Sequence, residues 1–240
     1  DLPAARQLLD TLDPLERNGD RAVGVAMTIG LLEQKPERTI EAGGLTARNY
    51  FDDDYVRGPK AWLLAHAYTM AGKPTLAQAQ WQEAENVLRQ RTRTAPGNWL
   101  DDAGLAVTLA WLGATEEAAR IMAPLESLAR ESPEPLRSLY LAYYQAGCGD
   151  AANTAVWLEQ VVNRRELVTV KTLALDPWWA KVRGKPEFEA LRVTADSPDL
   201  RSPRQTSASS VSVPDPKSVA VLAFENLSDD KANEYFSDGL

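Results

Sequence analysis

Few side chains in this sequence have the type and spacing that catalysis or metal binding requires. His66 is the only histidine, so a zinc site would lack a second imidazole. A Ser-His-Asp triad would have to use the same residue, and no Gly-x-Ser-x-Gly turn accompanies it. The chain also lacks a glycine-rich phosphate-binding loop. We therefore expect His66 to face solvent or a groove, in a protein that is not an enzyme and holds no metal or cofactor.

Two acidic runs are the other candidates for chemistry. Residues 52–54 are three consecutive aspartates, and the sequence SDDKANE occupies 228–234. Either run could approach a divalent cation, but neither has the alternating ligands of a calcium loop. Consecutive aspartates are typical of a turn, and we expect a turn at 52–54.

The composition restricts the class of partner. The chain has 240 residues, of which 34 are acidic and 26 basic, for a net charge of −8. A nucleic-acid-binding protein would need a clustered basic face, so we expect no nucleic acid. No apolar run approaches the roughly 20 residues of a transmembrane helix, so we expect no membrane contact within this chain. The acidic balance is compatible with a basic partner.

The single cysteine bears on the compartment. Cys148 cannot form an internal disulfide, which fits a reducing environment, and we expect it in a turn between helices. We expect a cytoplasmic protein. The periplasm is the alternative, because an export signal would precede Asp1, and a chain that begins at Asp1 is expected to be a piece of a longer protein.

Three glycines mark an internal repeat. Gly72, Gly113 and Gly147 each follow a helical run in the same register. Each has a leucine eight residues before it, an apolar residue four before it, an alanine five after it and a larger apolar residue nine after it. In chain order these residues are Leu64, Tyr68, Ala77 and Trp81; Leu105, Leu109, Ala118 and Met122; and Leu139, Tyr143, Ala152 and Val156.

This spacing predicts helical hairpins. The leucine and the apolar residue four positions later lie on one face of a first helix, and the glycine ends that helix in the left-handed conformation. The alanine permits a close crossing by the second helix. The sequence therefore predicts an all-α protein made of antiparallel helical hairpins.

The repeats resemble the tetratricopeptide repeat. The match is carried in the first unit by Leu64, Ala65, Tyr68, Ala77, Trp81 and Ala84, and in the second by Leu105, Ala106, Gly113, Ala118 and Pro133. Tyr140 and Val156 depart from the motif in the third unit. Gly113 and Gly147 are separated by 34 residues, the family period, whereas about seven extra residues precede Gly113, near 90–96. The resemblance covers 59–166 and implies a right-handed superhelix.

In such an array the first helix of each pair lines a concave groove. The residues expected to face a protein or peptide partner there are Trp62, His66, Thr69, Val107, Trp111, Arg137, Leu141, Tyr144 and Gln145. The alternative is that Trp62, Trp111 and Tyr144 only pack between hairpins. A non-enzymatic scaffold that binds a peptide or a partner protein is the expected function.

The flanking regions complete the predicted organisation. Residues 1–58 are expected to form a degenerate helical repeat, with helices at ARQLLDTL and RAVGVAMTIGLLEQ and an irregular connection after them. Residues 167–194 are expected to cap the array, with Asp176 as an N-cap and Pro177 at the first helical position. Trp178 or Trp179 would cover the last hairpin.

The carboxyl-terminal stretch differs in composition. Residues 195–217 are rich in serine and proline and are expected to be a flexible linker. The sequence SVAVLAF at 218–224 is typical of a buried strand. Together with ENLS and YFSDG it resembles the start of the TolB-like amino-terminal domain of multi-domain bacterial signalling proteins, truncated at 240. Because one strand is not stable alone, an alternative function is homo-oligomer assembly through pairing of 218–224 with another chain.

Overall fold

The computed structural model describes residues 2–53, 56–162 and 168–196. Within them the chain is mostly helical, as predicted. The predicted linker at 195–217, beyond its first two residues, and the predicted strand at 218–224 lie outside the described residues.

The helices are α1 Leu2–Thr11, α2 Pro14–Arg17, α3 Asp20–Leu32, α4 Pro36–Gly43, α5 Lys60–Met70, α6 Pro74–Thr94, α7 Trp99–Leu112, α8 Thr115–Glu131, α9 Pro135–Cys148, α10 Ala151–Val162, α11 Val170–Leu175 and α12 Pro186–Asp196. In the described part of the chain, no helix is both long and apolar enough to cross a bilayer.

Three hairpins form the centre of the fold: α5 packs on α6, α7 on α8, and α9 on α10. Gly72 and Gly113 follow the first two leading helices in the left-handed conformation, with φ of +68° and +86°, as the spacing predicted. Ala77 and Ala118 are buried where the second helix crosses the first. The extra residues before Gly113 lengthen α6, which therefore continues to Thr94.

The third hairpin does not follow the predicted register. Helix α9 continues through Gly147 to Cys148, and Gly149 takes the left-handed conformation with φ of +76°. Gly147 has a different role, because a Cβ atom there would lie 2.8 Å from Cδ1 of Trp111 and 3.1 Å from Cβ of Ala110. The assignment of Gly147 as the helix-ending glycine was therefore wrong. Because glycine has no side chain, Gly147 instead allows α7 to pack closely against α9.

The two-residue shift continues into α10. Ala152 and Val156, the predicted packing residues, are exposed, and Val156 is 51% accessible. Thr154 and Leu158 are fully buried in their place. They stand five and nine residues after Gly149, so the repeat pattern holds once it is counted from the glycine that ends the helix.

The amino-terminal hairpin also differs from the prediction, because α3 packs mainly on α4 and less on α1. The predicted irregular connection supplies α4. Gly30 permits the close crossing, since a Cβ there would lie 2.6 Å from Oγ1 of Thr39. That hydroxyl donates to the carbonyl of Met27 at 2.9 Å. Helix α4 is short and was missed because it shows less than two turns of apolar spacing.

A small antiparallel sheet follows α4. Strands β1 Tyr50–Asp52 and β2 Arg57–Pro59 pair with Phe51 opposite Gly58, so the predicted boundary at 58/59 falls within β2. Phe51 is 1% exposed and packs on Gly24. Tyr50 joins this sheet to the hairpins.

Tyr50 is held by a partly buried polar network. Its hydroxyl lies 3.2 Å from Oδ1 of Asp101, and Nε of Arg91 lies 2.7 Å from the same oxygen. The Arg91 guanidinium also lies over the Tyr50 ring, 3.7 Å from its centroid. Burial, with the Asp101 carboxylate nearby, raises the pKa of Tyr50 to about 12. The network fixes β1, and through it β2, against α6 and α7.

Residues 168–182, which we call the closing segment, return across the molecule. Nε2 of Gln34, just after α3, donates to the carbonyl of Leu175 at 2.7 Å. Asp176 accepts from the backbone N–H of Trp178 at 3.1 Å and caps the 3₁₀ turn Pro177–Trp179, as predicted. Nζ of Lys181 donates to the carbonyl of Gly147 at 2.7 Å. Helix α12 then packs on α10. The closing segment thus contacts both the amino-terminal hairpin, through Gln34, and the last hairpin, through Gly147.

Replacing Gly147 by alanine tests the corrected register. We expect Gly147→Ala to destabilise the protein by about 1–3 kcal/mol, because the new methyl group meets the Trp111 ring. In a Trp111→Leu background the cost should become smaller, because the ring is gone and alanine is favoured over glycine within a helix by about 1 kcal/mol. Any cost that remains reflects the contact with Cβ of Ala110. Chemical denaturation of the four proteins measures both values.

Gly113→Ala is the matched control. Its Cβ would meet nothing within 4 Å, so its cost reflects the left-handed backbone alone, about 1–2 kcal/mol, and should not depend on Trp111. If the cost of Gly147→Ala were equally insensitive to Trp111, the close approach of α7 and α9 would be refuted.

Candidate functional site

The aromatic cluster

One tryptophan of the closing segment connects the leading helices of all three hairpins. The ring centroid of Trp178 lies 5.3 Å from Trp62 and 4.5 Å from His66 on α5, and 4.5 Å from Tyr143 on α9. It also lies 5.9 Å from both Trp81 on α6 and Trp111 on α7. We call these six residues the aromatic cluster. Most of the contacts of Trp178 are edge-to-face, the arrangement that ring quadrupoles favour.

His66 lies inside this cluster and is 2% exposed. Its ring centroid is 5.1 Å from Trp81 and 4.9 Å from Trp111, both at near right angles. Nε2 has no hydrogen-bond partner among the described residues. Burial, with a smaller contribution from the charge of Lys181, lowers the pKa of His66 to about 3. The expectation that His66 faces solvent or a groove was wrong, and the imidazole is a neutral core side chain.

Lys181 closes one side of the cluster. Its Nζ lies 4.6 Å from the centroid of the Trp111 ring while it donates to Gly147. That carbonyl belongs to the last turn of α9, where the helix dipole favours a cation. Burial lowers the pKa of Lys181. The lysine therefore fixes the closing segment by two favourable interactions of its charge.

The residues expected to contact a partner

The structure brings together three of the nine predicted groove residues, Trp62, His66 and Trp111, all within the aromatic cluster. Trp178 of the same chain packs against all three. Trp111 also stacks on Trp81 with a centroid distance of 5.1 Å. Nε1 of Trp62 donates to Oγ1 of Thr108 at 2.8 Å. Trp62 and Trp111 thus pack between hairpins, as the alternative interpretation held for them and for Tyr144.

The other six predicted residues are dispersed. Val107 and Leu141 have no exposed surface, and Tyr144 is 8% exposed. Thr69 is exposed, and Gln145 is half-buried. Arg137 is half-buried and pairs with Glu134 at 3.2 Å. The buried members cannot contact a partner in this conformation, because neighbouring helices already cover them.

The shifted register explains why Tyr143 was missed. Counted from the left-handed glycine of each hairpin, His66, Val107 and Tyr143 are equivalent, since each stands six residues before it. Counting from Gly147 gave Leu141 instead. The second glycine of the sequence QAGCG was the available signal.

The inner pocket

A cavity of about 360 Å³, which we call the inner pocket, remains between α3, β2, α5, α9 and the closing segment. Its volume lies at the lower end of the range for small-ligand sites, about 300–1,000 Å³. Four aromatic residues line it: Trp62, Tyr140, Tyr143 and Trp178. The aliphatic part of its wall includes Leu31 and Leu32 from α3 and Leu136 and Leu139 from α9.

Four polar residues also line the inner pocket: Thr28, Asp53, Arg57 and Asp176. Nε of Arg57 lies 3.1 Å from Oδ1 of Asp52, so its charge is already balanced by a carboxylate. Burial raises the pKa of Asp176 to about 6, against the hydrogen bond from Trp178 and the charge of Arg183. Burial likewise raises the pKa of Tyr140 and of Tyr143, so both phenols stay protonated at neutral pH.

The inner pocket has a different composition from a metal centre. Within residues 2–53, 56–162 and 168–196, no three His, Cys, Asp or Glu side chains meet as a metal site would require. Cys148 is exposed, and Tyr144 lies close enough to hydrogen-bond its thiol. Rings, aliphatic walls and a few polar groups are the usual lining of a small-ligand pocket.

Replacing His66 by phenylalanine should change the pH dependence of stability. The folded pKa of His66 is below its unfolded value of about 6.5, so the unfolded chain takes up the proton first. Stability is therefore fully present above pH 6.5 and falls as the pH decreases towards 3. Relative to His66→Phe, the parent should lose about 2 kcal/mol between pH 7 and pH 5. Urea denaturation at both pH values measures this difference.

The comparison cancels the contribution of Asp176, which changes stability in the opposite direction over the same range in both proteins. Trp111→Phe is the matched control, because it alters the same cluster and retains the imidazole. Its pH dependence should equal that of the parent. Parallel curves for the parent and His66→Phe would contradict a neutral, buried His66.

Comparison of the chain with protein-family models, with curated proteins and with solved structures finds no match.

Proposed function

We propose that this chain is a non-enzymatic binding module that receives a segment of a partner protein or peptide at the inner pocket. The observation that carries the proposal is the pocket itself, a cavity of about 360 Å³ with aromatic and aliphatic walls and few polar groups. Aromatic anchors in a desolvated pocket supply most of the energy in protein recognition. A single partner side chain and its flanking backbone match this volume.

The location of the pocket in the fold also supports a binding role. Its walls come from at least five separate parts of the chain, namely α3, β2, α5, α9 and the 3₁₀ turn. Each is fixed independently, β2 through the pairing of Tyr50 with Pro59 and the closing segment through Lys181 and Gly147. A pocket held by a rigid scaffold loses little conformational entropy when it binds.

The burial of His66 supports a binding role without catalysis. The side chain most suited to acid–base catalysis has a pKa of about 3 and is enclosed by tryptophans. Asp176 is a carboxyl group of the pocket wall whose pKa is raised to about 6, and a perturbed carboxyl group is compatible with binding as well as with catalysis. We therefore include the absence of enzymatic activity in the proposal.

The proposal also includes the superhelical arrangement of the hairpins and the larger protein to which the chain would belong. The hairpins would be arranged as the right-handed superhelix of tetratricopeptide proteins. The closing segment would occupy part of the concave face with which such proteins bind partners. The chain would act as one module of a larger bacterial signalling or regulatory protein, in the cytoplasm or, alternatively, in the periplasm.

Filling the inner pocket should weaken partner binding without unfolding the protein. We expect Leu32→Trp, at the pocket wall, to reduce the affinity for peptides selected from a random-sequence library by at least about tenfold. Stability should change by less than about 1 kcal/mol, because Leu32 is only half-buried. Library selection with the parent chain, followed by calorimetric titration of both proteins, provides the measurement.

Leu128→Trp is the matched control, since Leu128 is a leucine on α8 that is 41% exposed and outside the pocket. It should retain full affinity. The proposal fails if no library peptide is enriched over a blank surface, or if the enriched peptides bind Leu32→Trp and Leu128→Trp equally well.

A further inference from the structure

The charged groups at the inner pocket give it a net negative character. Asp53 and Asp176 line it with two carboxyl groups, and Arg57 is the cation among its lining residues. Nε of Arg57 lies 3.1 Å from Oδ1 of Asp52, which does not line the pocket. The guanidinium is therefore already paired outside the cavity. Asp53 also has a partner, since Oδ1 accepts the backbone N–H of Val56 at 2.9 Å, so Asp176 is the carboxylate considered as a counter-ion for a ligand.

Asp176 is the more constrained of these two acids. One oxygen accepts the backbone N–H of Trp178 at 3.1 Å, while its own carbonyl accepts from Nη2 of Arg183 at 2.7 Å. Burial raises its pKa to about 6, so at neutral pH the group is a carboxylate held in an unfavourable medium. A second cation beside it would offset this cost, because opposite charges attract strongly where water is scarce.

The aromatic walls favour the same charge. Trp62, Tyr140, Tyr143 and Trp178 line the cavity, and electron-rich rings attract ammonium and guanidinium groups. The leucines of α3 and α9 complete the wall with aliphatic surface. A basic side chain has this combination of properties, since its charged end is carried on an apolar stem.

We propose that the inner pocket binds the side chain of a lysine or arginine of the partner, with Asp176 as its main counter-ion. This inference rests on the proposed function and assigns the chemistry of the partner. It also agrees with the net charge of −8, which favours the approach of a basic segment. Asp176 then has two functions, since it caps the turn that carries Trp178 and accepts the ligand cation.

The test uses a random-sequence library of capped peptides selected on the full chain. We expect the enriched peptides to share a lysine or arginine at one position. Replacing that residue by norleucine, which keeps the stem and removes the charge, should weaken binding about tenfold at pH 7, the effect of one charge-assisted contact. Isothermal titration measures each peptide pair.

Variants of the chain locate the effect. Asp176→Asn keeps an oxygen that can cap the 3₁₀ turn and removes the negative charge, so it should abolish the preference for the basic peptide over norleucine. Glu83→Gln removes an exposed carboxylate from α6, outside the pocket, and should leave the preference unchanged. Thermal unfolding of Asp176→Asn confirms that the variant is folded.

A pH titration supplies a readout that a merely structural role of Asp176 would not change. With a pKa of about 6, the carboxylate is about 90% ionised at pH 7 and about 10% at pH 5. The preference of the parent for the basic peptide should therefore fall about fivefold over this range, from about ninefold to about twofold. Asp176→Asn should show no such fall.

The outcomes separate this inference from the function on which it rests. Enriched peptides that lack a shared basic residue, yet bind Leu32→Trp more weakly than the parent, would overturn the cation assignment and leave the proposed function intact. A basic preference that persists in Asp176→Asn would also overturn the assignment. Failure to enrich any peptide would overturn both proposals.

Discussion

The insertion of Trp178 among the rings of three hairpins is the contact on which the rest of the structure depends. Its indole touches side chains from α5, α6, α7 and α9, so removing it would separate surfaces from every hairpin at once. The cluster also encloses polar atoms. Nε2 of His66 and Nε1 of Trp111 find no hydrogen-bond partner in the described part of the chain, and each such atom costs about 1–3 kcal/mol. Ring contacts and the exclusion of water must offset that cost.

The hairpins could be predicted from the sequence because their signal is repeated and redundant. A glycine, an alanine and apolar residues at fixed offsets agree with one another in the first two units. The third unit has glycines at 147 and 149, and either one can end a helix on local grounds. Only tertiary structure distinguishes them, since Gly147 is required by the ring of Trp111 from a neighbouring hairpin. A pattern read within one segment cannot contain that information.

The parts that were missed have weak local signals. Helix α4 spans eight residues and β1 and β2 three each, too short for a period to be recognised. Their formation depends on partners, since Phe51 packs on Gly24 and Thr39 bonds to the carbonyl of Met27. The cap at Asp176 was predicted because its signal is local, an aspartate followed by proline.

The candidate site was likewise predicted only in part. Trp62, which lines the inner pocket, was identified from its position on the leading helix of a repeat. Tyr143 was lost through the register shift. Only the capping role of Asp176 could be predicted, because nothing in its sequence neighbourhood indicates that the closing segment returns to α3. That return is seen in the structure, where α11 contacts α3 and Gln34 bonds to Leu175, 141 positions later in the chain.

The energetics of the closing segment explain why a partner is expected at the inner pocket rather than along the leading helices. Leu173, Trp178, Trp179 and Val182 are all buried, and each such side chain contributes about 1.5–3 kcal/mol, together about 6–12 kcal/mol. A peptide that binds with a dissociation constant of 1 µM gains about 8 kcal/mol. Such a peptide would use most or all of that free energy in displacing the segment. A partner that binds against Trp178 without displacing it avoids this cost. The inner pocket, which Trp178 lines, is a site where such binding can occur.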